Sequence, residues 1–180
     1  MGQIMEMQQS GSELTVEEPS IQQFLTFSLQ QELFGLTILP IKEIIEYDQV
    51  TTVPMVPAYV RGVINLRGNV VPVIDLPVRF GWSSSPVSKR TCIVIVEVAS
   101  DEERFDIGVV IDNVSEVLEI PAQDIGSAPS FGARVRTDFI AGMAKVNDAF
   151  IVLLNIDRVL AVDELSQLGG MGQKTDVLSE

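Results

Sequence analysis

Side chains able to do covalent or proton-transfer chemistry are scarce in this chain. Its 180 residues include no histidine and one cysteine, Cys92. A nucleophile needs a base beside it, and a lone cysteine inside the apolar run "TCIVIVEV" has no imidazole to take its proton. Cys92 is therefore expected to be a small buried hydrophobe. The lack of histidine also removes Ser–His pairs, imidazole metal ligands and a phosphoacceptor imidazole. No G-x-x-x-x-G-K-[ST], G-x-G-x-x-G or G-x-S-x-G pattern occurs. "GGMG" near the C-terminus reads as linker. "SDEER" at 100–104 lacks the spaced oxygen ligands of a calcium loop and reads as a solvated turn. No catalytic group and no cofactor is expected, which favours a protein that acts through its surfaces.

One cation stands out. "GVINLRGNVVPVIDL" at 62–76 is nearly all apolar or backbone, yet it carries Arg67 in a chain of formal net charge −13. A surface ion pair, a phosphate clamp and a contact to a partner protein are all open readings. Twenty-five Asp and Glu against 12 Lys and Arg leave no basic stripe to neutralise phosphates, so nucleic acid is not an expected partner.

A single cysteine fits a reducing compartment. The first twenty residues lack a basic start, and no apolar run approaches the roughly 18 residues of a membrane span. The expectation is a soluble cytoplasmic protein without direct membrane insertion.

These residues must be positioned by short β-runs. Residues 1–20 are expected to be a flexible acidic tail, 21–162 the folded domain and 163–180 a second flexible tail. "QQFLTFSL" and "ELFGLTIL" predict one hairpin. "VRGVINL" and "VVPVIDL" predict a second, with Arg67 in its turn. "TCIVIVEV" and "FDIGVVI" predict a third, across "ASDEER". "FIAGMAKV" and "AFIVLLNI" predict a fourth. Pro40 opens "PIKEIIEY", where Ile41, Ile44 and Ile45 fall on one helical face, so a short helix is predicted there. Pro72 belongs on an edge or at a bulge. Asp75 and Asp157 are expected to cap the short helices "LPVRF" and "RVLAV".

The hairpins repeat. An offset of 73 lays "GLTILPIKEI" over "GVVIDNVSEV", with Gly35 on Gly108 and Ile41 on Val114. An offset of 80 lays "GVINLRGNVVPVIDL" over "GMAKVNDAFIVLLNI", with Gly62 on Gly142 and Asp75 on Asn155. Two matched segments in the same order predict a mostly β fold. The architecture expected is two pseudo-symmetric small barrels packed together, with short connecting helices. The barrels are either discontinuous in sequence or span roughly 21–85 and 90–160.

The hairpin "G-V-x-N-L-R-G" followed by "V-P-[IV]-[IV]-D-L" resembles the CheW family of chemotaxis coupling proteins. So do "FGLTILPIKEIIEYDQVTTVPMVPAYV" before it and "IDNVSEVLEIPAQDI" and "FIAGMAKVNDAFIVLLNIDRVL" after it. The resemblance runs from about Phe24 to Leu160. It implies two five-stranded SH3-like barrels with a groove between them. It also implies an adaptor joining a CheA-type histidine kinase to the cytoplasmic tip of methyl-accepting chemoreceptors in membrane-associated arrays. Carried over residue by residue, it implies receptor-groove positions at Leu25, Ile38, Ile41, Ile111 and Val114; of these Ile41 is favoured, because a short helix that already buries Ile44 and Ile45 can leave it outward. It implies kinase or array-interface positions at Glu43, Gly62 and Arg67, with Glu43 and Arg67 able to pair. Each has a plain structural alternative: core for the aliphatics, a tight backbone for Gly62, surface decoration for Arg67. The resemblance gives no role to Trp82, which otherwise reads as folded back over the core. Arg134 and Arg136 read as loop charge or as an interaction patch.

Three rival functions stand beside this one. A coupling protein of a parallel chemosensory system, such as one driving type IV pilus motility, would share the fold. A small-molecule sensor would need convergent polar groups in the cleft. An enzyme would need the catalytic groups that are missing.

Overall fold

The computed structural model describes residues 20–100, 102–128 and 134–160. The expected tails fall almost wholly outside these residues. The strands are β1 (Ile21–Leu29), β2 (Glu32–Thr37), β3 (Ile41–Glu46), β4 (Val60–Leu66), β5 (Asn69–Asp75), β6 (Cys92–Ser100), β7 (Glu103–Ile111), β8 (Asn113–Pro121), β9 (Ile125–Gly126), β10 (Ile140–Val146) and β11 (Ala149–Leu154). One-turn helices α1 (Leu76–Arg79) and α2 (Ile156–Val159) follow β5 and β11.

The strands form two sheets, ordered β3-β6-β7-β5-β4 and β8-β1-β2-β11-β10-β9. Strip β9 from the second and the two orders superpose element for element. The predicted repeat holds at the level of single pairs. Parallel strands β5 and β7 set Val73 beside Gly108, and β11 and β2 set Leu153 beside Gly35. The offsets of 80 and 73 convert one pair into the other. Ile44 opposite Val94 matches Val117 opposite Leu25. The bridge from Thr51 to Val63 matches the pairing of Gly126 with Met143. The sheets interleave along the chain: β1 and β2 belong with β8–β11, while β3–β7 form the other sheet.

Apolar side chains sort accordingly. Ile64, Val71, Val73, Ile93, Ile95 and Val110 fill one small core, and Phe24, Ile120, Ala144, Ile151 and Leu153 fill its counterpart. A larger core, including Phe27, Phe34, Val94, Val96, Val109 and Phe139, joins the two sheets. This is why β6 is apolar on both faces: one face lines its own core and the other packs across the interface.

Several local expectations are corrected. "PIKEIIEY" is not a helix. Ile41–Glu46 is strand β3, paired antiparallel with β6, and the Glu97 N–H donates to the Pro40 carbonyl at 2.8 Å. The isoleucine spacing favours a helix, and in the strand Ile44 is turned outward while Ile41 and Ile45 are half-buried; tertiary pairing overrides the spacing, because buried β6 needs a partner for its backbone groups. Asp75 does cap α1, its carboxylate accepting from the Val78 N–H. Asp157 does not cap α2; Asn155, the repeat partner of Asp75, does. Pro72 sits in an interior strand, at a point where pairing with β7 has not begun. The "SDEER" turn is tighter than expected, because β6 runs through Ser100 and β7 starts at Glu103.

Candidate protein–protein interface

The β4–β5 hairpin turns on Arg67 and Gly68, both with positive φ (54° and 87°). Two left-handed residues match the right-handed twist of the strands they join. The Gly68 N–H donates to Asn65 Oδ1 at 2.9 Å, which fixes the turn. That turn aims the Arg67 side chain at β3. Its guanidinium donates to both carboxylate oxygens of Glu43, at 2.6 and 3.1 Å. The fork geometry suits a carboxylate. The hydrogen bond from Arg67 lowers the Glu43 pKa most strongly; desolvation opposes it, and the charges of Arg67 and then Lys42 add to the lowering, so the net shift is downward. The Arg67 side chain is 72% exposed, so the pair stands at the surface.

Gly62 lies five residues before Arg67, at the β-bulge between Val60 and Gly62. A Cβ there would overlap the Thr51 carbonyl oxygen and lie 2.9 Å from Val50 Cγ1. Thr51 and Val63 exchange backbone hydrogen bonds at 2.8 and 2.9 Å across this contact. The requirement for glycine is thus local and steric.

The aliphatic candidates separate. Leu25 and Ile111 are 3% and 0% exposed and belong to the inter-sheet core, so they present no groove surface. Ile38, Ile41 and Val114 are half-buried against that core, at its rim. Ile41 is not the most outward of the β3 isoleucines; Ile44 is 41% exposed. The expectation rested on a helical face, and the strand turns alternate residues outward instead.

A polar cluster escaped sequence reasoning. Arg61 occupies the bulge position itself, which re-aims its side chain. It donates to Asp75 Oδ2 from Nε (3.1 Å) and NH2 (2.7 Å), and to the hydroxyls of Tyr47 (3.0 Å) and Ser84 (2.7 Å). Ser84 donates to the same Asp75 oxygen at 2.7 Å. Burial acts most strongly on Arg61 and lowers its pKa, but the hydrogen bond and charge of Asp75 outweigh it, and the net shift is upward. Asp75 side-chain exposure is 3%, so this is a buried charge with a full set of partners.

Trp82 does fold back over the core. Its ring packs 6.0 Å from Phe34 and 5.4 Å from Phe80, and its indole N–H donates to the Arg134 carbonyl at 3.1 Å. Arg134 lies over the Trp82 ring at 4.1 Å and pairs with Glu32 at 2.9 Å.

Cys92 is half-buried, its thiol donating to the Arg90 carbonyl at 3.3 Å. Burial and the nearby Glu46 push its pKa up, the opposite of an activated nucleophile. Among the described residues no cluster of three or more Cys, Asp or Glu is placed to hold a metal ion, and no helix is long and apolar enough to cross a membrane.

The CheW-like domain family matches residues 23–164. The Chemotaxis protein CheW of Klebsiella aerogenes is 34% identical over 145 residues, covering 81% of this chain and 85% of that protein. That of Helicobacter pylori is 32% identical over 147 residues, 82% and 86% of the two chains. Protein FrzA of Myxococcus xanthus is 27% identical over 141 residues, 77% and 85% of the two. The crystal structure of the scaffolding protein TtCheW from Thermoanaerobacter tengcongensis superposes with a TM-score of 0.72 at 33% identity, covering 82% of this chain and 93% of that one. The repeated sheets, the glycine bulge and the arginine hairpin thus sit inside a match that takes in every described strand except the first two residues of β1: the chain belongs to the CheW family.

Proposed function

We propose that this chain is a non-catalytic scaffold that couples the cytoplasmic tips of transmembrane chemoreceptors to a CheA-type histidine kinase. It would work in the cytoplasm, recruited to membrane-associated receptor arrays. Residues 21–162 form the working unit, built of two barrels that are discontinuous in sequence. Ile38, Ile41 and Val114 form the receptor-facing rim, an aliphatic strip of the kind that takes an amphipathic helix. Gly62 and Arg67 of the β4–β5 hairpin, with Glu43 on β3, form the kinase-facing surface. The observation that carries this reading is the exposed, bidentate pair between Arg67, on a hairpin braced by a bulge glycine, and Glu43 on β3, in a family whose solved relative TtCheW is a scaffolding protein.

A second reading has its own support. The match to Protein FrzA of Myxococcus xanthus supports a coupling protein of a parallel chemosensory system. One experiment tests both. The chain is used as bait in lysate of its own cells, and captured proteins are identified by mass spectrometry. A histidine kinase together with chemoreceptors supports the scaffold, and the kinase's identity names the pathway. Capture of neither, with folded bait, contradicts both readings.

A further inference from the structure

β3 and β4 are the first and last strands of one sheet, so each keeps an outer edge when the ladders of that sheet are complete. Among the described residues no strand ladder joins them. The β4 edge is met by Thr51, at a bridge to Val63, and two arginine side chains cross to β3. Arg67, in the turn after β4, holds Glu43. Arg61, near the start of β4, donates from NH1 to the hydroxyl of Tyr47, the residue after β3, at 3.0 Å. Its guanidinium also lies 5.4 Å from the centre of that ring. The two links run in antiparallel sense, one toward each end of the seam.

The links differ in how firmly they are held. The Arg61 side chain is 22% exposed, against 72% for Arg67. Every nitrogen of the Arg61 guanidinium has an acceptor: Asp75 for Nε and NH2, Ser84 for NH2 as well, Tyr47 for NH1. An exposed ion pair contributes little and exchanges readily. One whose carboxylate is buried is held, because breaking it strands a charge. Arg67 is therefore free to change partners, and Arg61 is not.

The repeat shows that closing such a sheet does not require arginine. The offset of 73 puts Glu116 in the place of Glu43 and Ile120 in the place of Tyr47. The offset of 80 puts Ala141 in the place of Arg61 and Asn147 in the place of Arg67. Ile120 is buried in its own small core, and β9 pairs with β10 at Gly126–Met143 and Ile125–Ala144. Neither arginine has a counterpart in the sheet that lacks the partner-facing hairpin.

We propose that Arg61 is a positioning residue for the Arg67–Glu43 pair. By holding Tyr47 it keeps β3 against the hairpin, so that Arg67 can turn from Glu43 to a carboxylate of a partner without the seam opening. The exchange with a partner rests on the proposed kinase-facing role of the hairpin; the closing of the seam does not.

Amide hydrogen exchange of the full chain, followed by NMR, tests this in Tyr47→Phe and Arg67→Gln. Tyr47→Phe removes only the hydroxyl that Arg61 holds, and leaves the ring and the Arg61–Asp75 pair in place. It should speed exchange of the β3 amides, Ile41–Glu46, by about five-fold or more, since a hydrogen bond to a charged group is lost. It should also raise the Glu43 pKa toward the ordinary carboxylate value, while the amides of β10 and β11 stay unchanged. Arg67→Gln should speed β3 exchange by less than about two-fold. Unchanged β3 exchange in Tyr47→Phe would overturn the proposal. So would an equal change in both sheets, which marks a general loss of stability rather than a local opening, or a larger loosening of β3 in Arg67→Gln than in Tyr47→Phe. The partner-facing role is measured separately, as affinity for the purified CheA-type kinase. Wild-type affinity in Arg67→Gln with β3 still protected would contradict that role, yet support Arg61 as the residue that holds the seam.

Discussion

Arg67 holds both carboxylate oxygens of Glu43, 24 residues earlier in the chain, and so ties the β4–β5 hairpin to the edge strand β3. The same two side chains are the ones we propose are offered to a partner. An interface residue with an internal partner is pre-positioned, which lowers the ordering cost of binding.

Arg67→Glu should weaken binding of the kinase by ten-fold or more, as read by calorimetry with the purified kinase. It should leave the melting temperature within a few degrees, because an exposed charge swap breaks no buried contact. Adding Glu43→Arg should recover part of the affinity. The pair is also pH-dependent. Arg67 lowers the Glu43 pKa in the folded state, so the pair's contribution is complete above the ordinary carboxylate pKa of 4.5. It is lost as pH falls through the lower folded value. An NMR titration of the Glu43 carboxylate should show that downward shift disappear in Arg67→Gln.

Gly62→Ala should destabilise the fold by about 1–3 kcal/mol in urea melts, since its methyl group meets backbone rather than a movable side chain. Gly142→Ala, at the equivalent bulge, meets Ile125 Cγ2 and the Gly126 carbonyl, at 2.5 and 2.9 Å, neither as close as the Thr51 carbonyl is to Gly62. It should cost less. Equal or reversed costs would show that the two bulges do not share the packing described.

Leu25 and Ile41 should behave oppositely, although family resemblance placed them in one groove. Leu25→Ala empties buried core and should cost about 2–5 kcal/mol. Ile41→Asp, at the rim, should chiefly reduce binding to receptor fragments, with a smaller loss of stability. A collapse of folding in Ile41→Asp equal to that of Leu25→Ala would return Ile41 to the core.

Arg61→Met should cost about 3–5 kcal/mol, because it strands the buried Asp75 carboxylate. The double change Arg61→Met with Asp75→Asn should be milder than that single one. Chemical denaturation of the three variants checks this, and a single variant as stable as wild type would show that Asp75 is solvated in its absence.

Much of this architecture was legible because the repeat preserves spacing. Gly35 and Gly108 fall beside Leu153 and Val73, and Gly62 and Gly142 at matched bulges, so the offsets report real strand partners. What failed were choices that tertiary partners decide. "IKEII" has helical spacing, and only the edge of β6, which needs a partner, selects the strand. Leu25 and Ile111 look like any β-strand aliphatics, and whether they face a groove or a core depends on how two sheets meet. The Arg61 cluster stayed hidden because a bulge leaves no hydropathy signature. Asp75 was read as a cap, and it is one, but its second oxygen also holds Arg61 and Ser84.

The scaffold reading is tested most directly by co-sedimentation. Chemoreceptor-bearing membranes and purified CheA-type kinase from the same cells are mixed with and without this protein, and kinase in the pellet is measured. Kinase should pellet with the membranes only when the wild-type chain is present, and should fall several-fold with Arg67→Glu and with Ile41→Asp. Pelleting that is the same with and without the chain would contradict a coupling role.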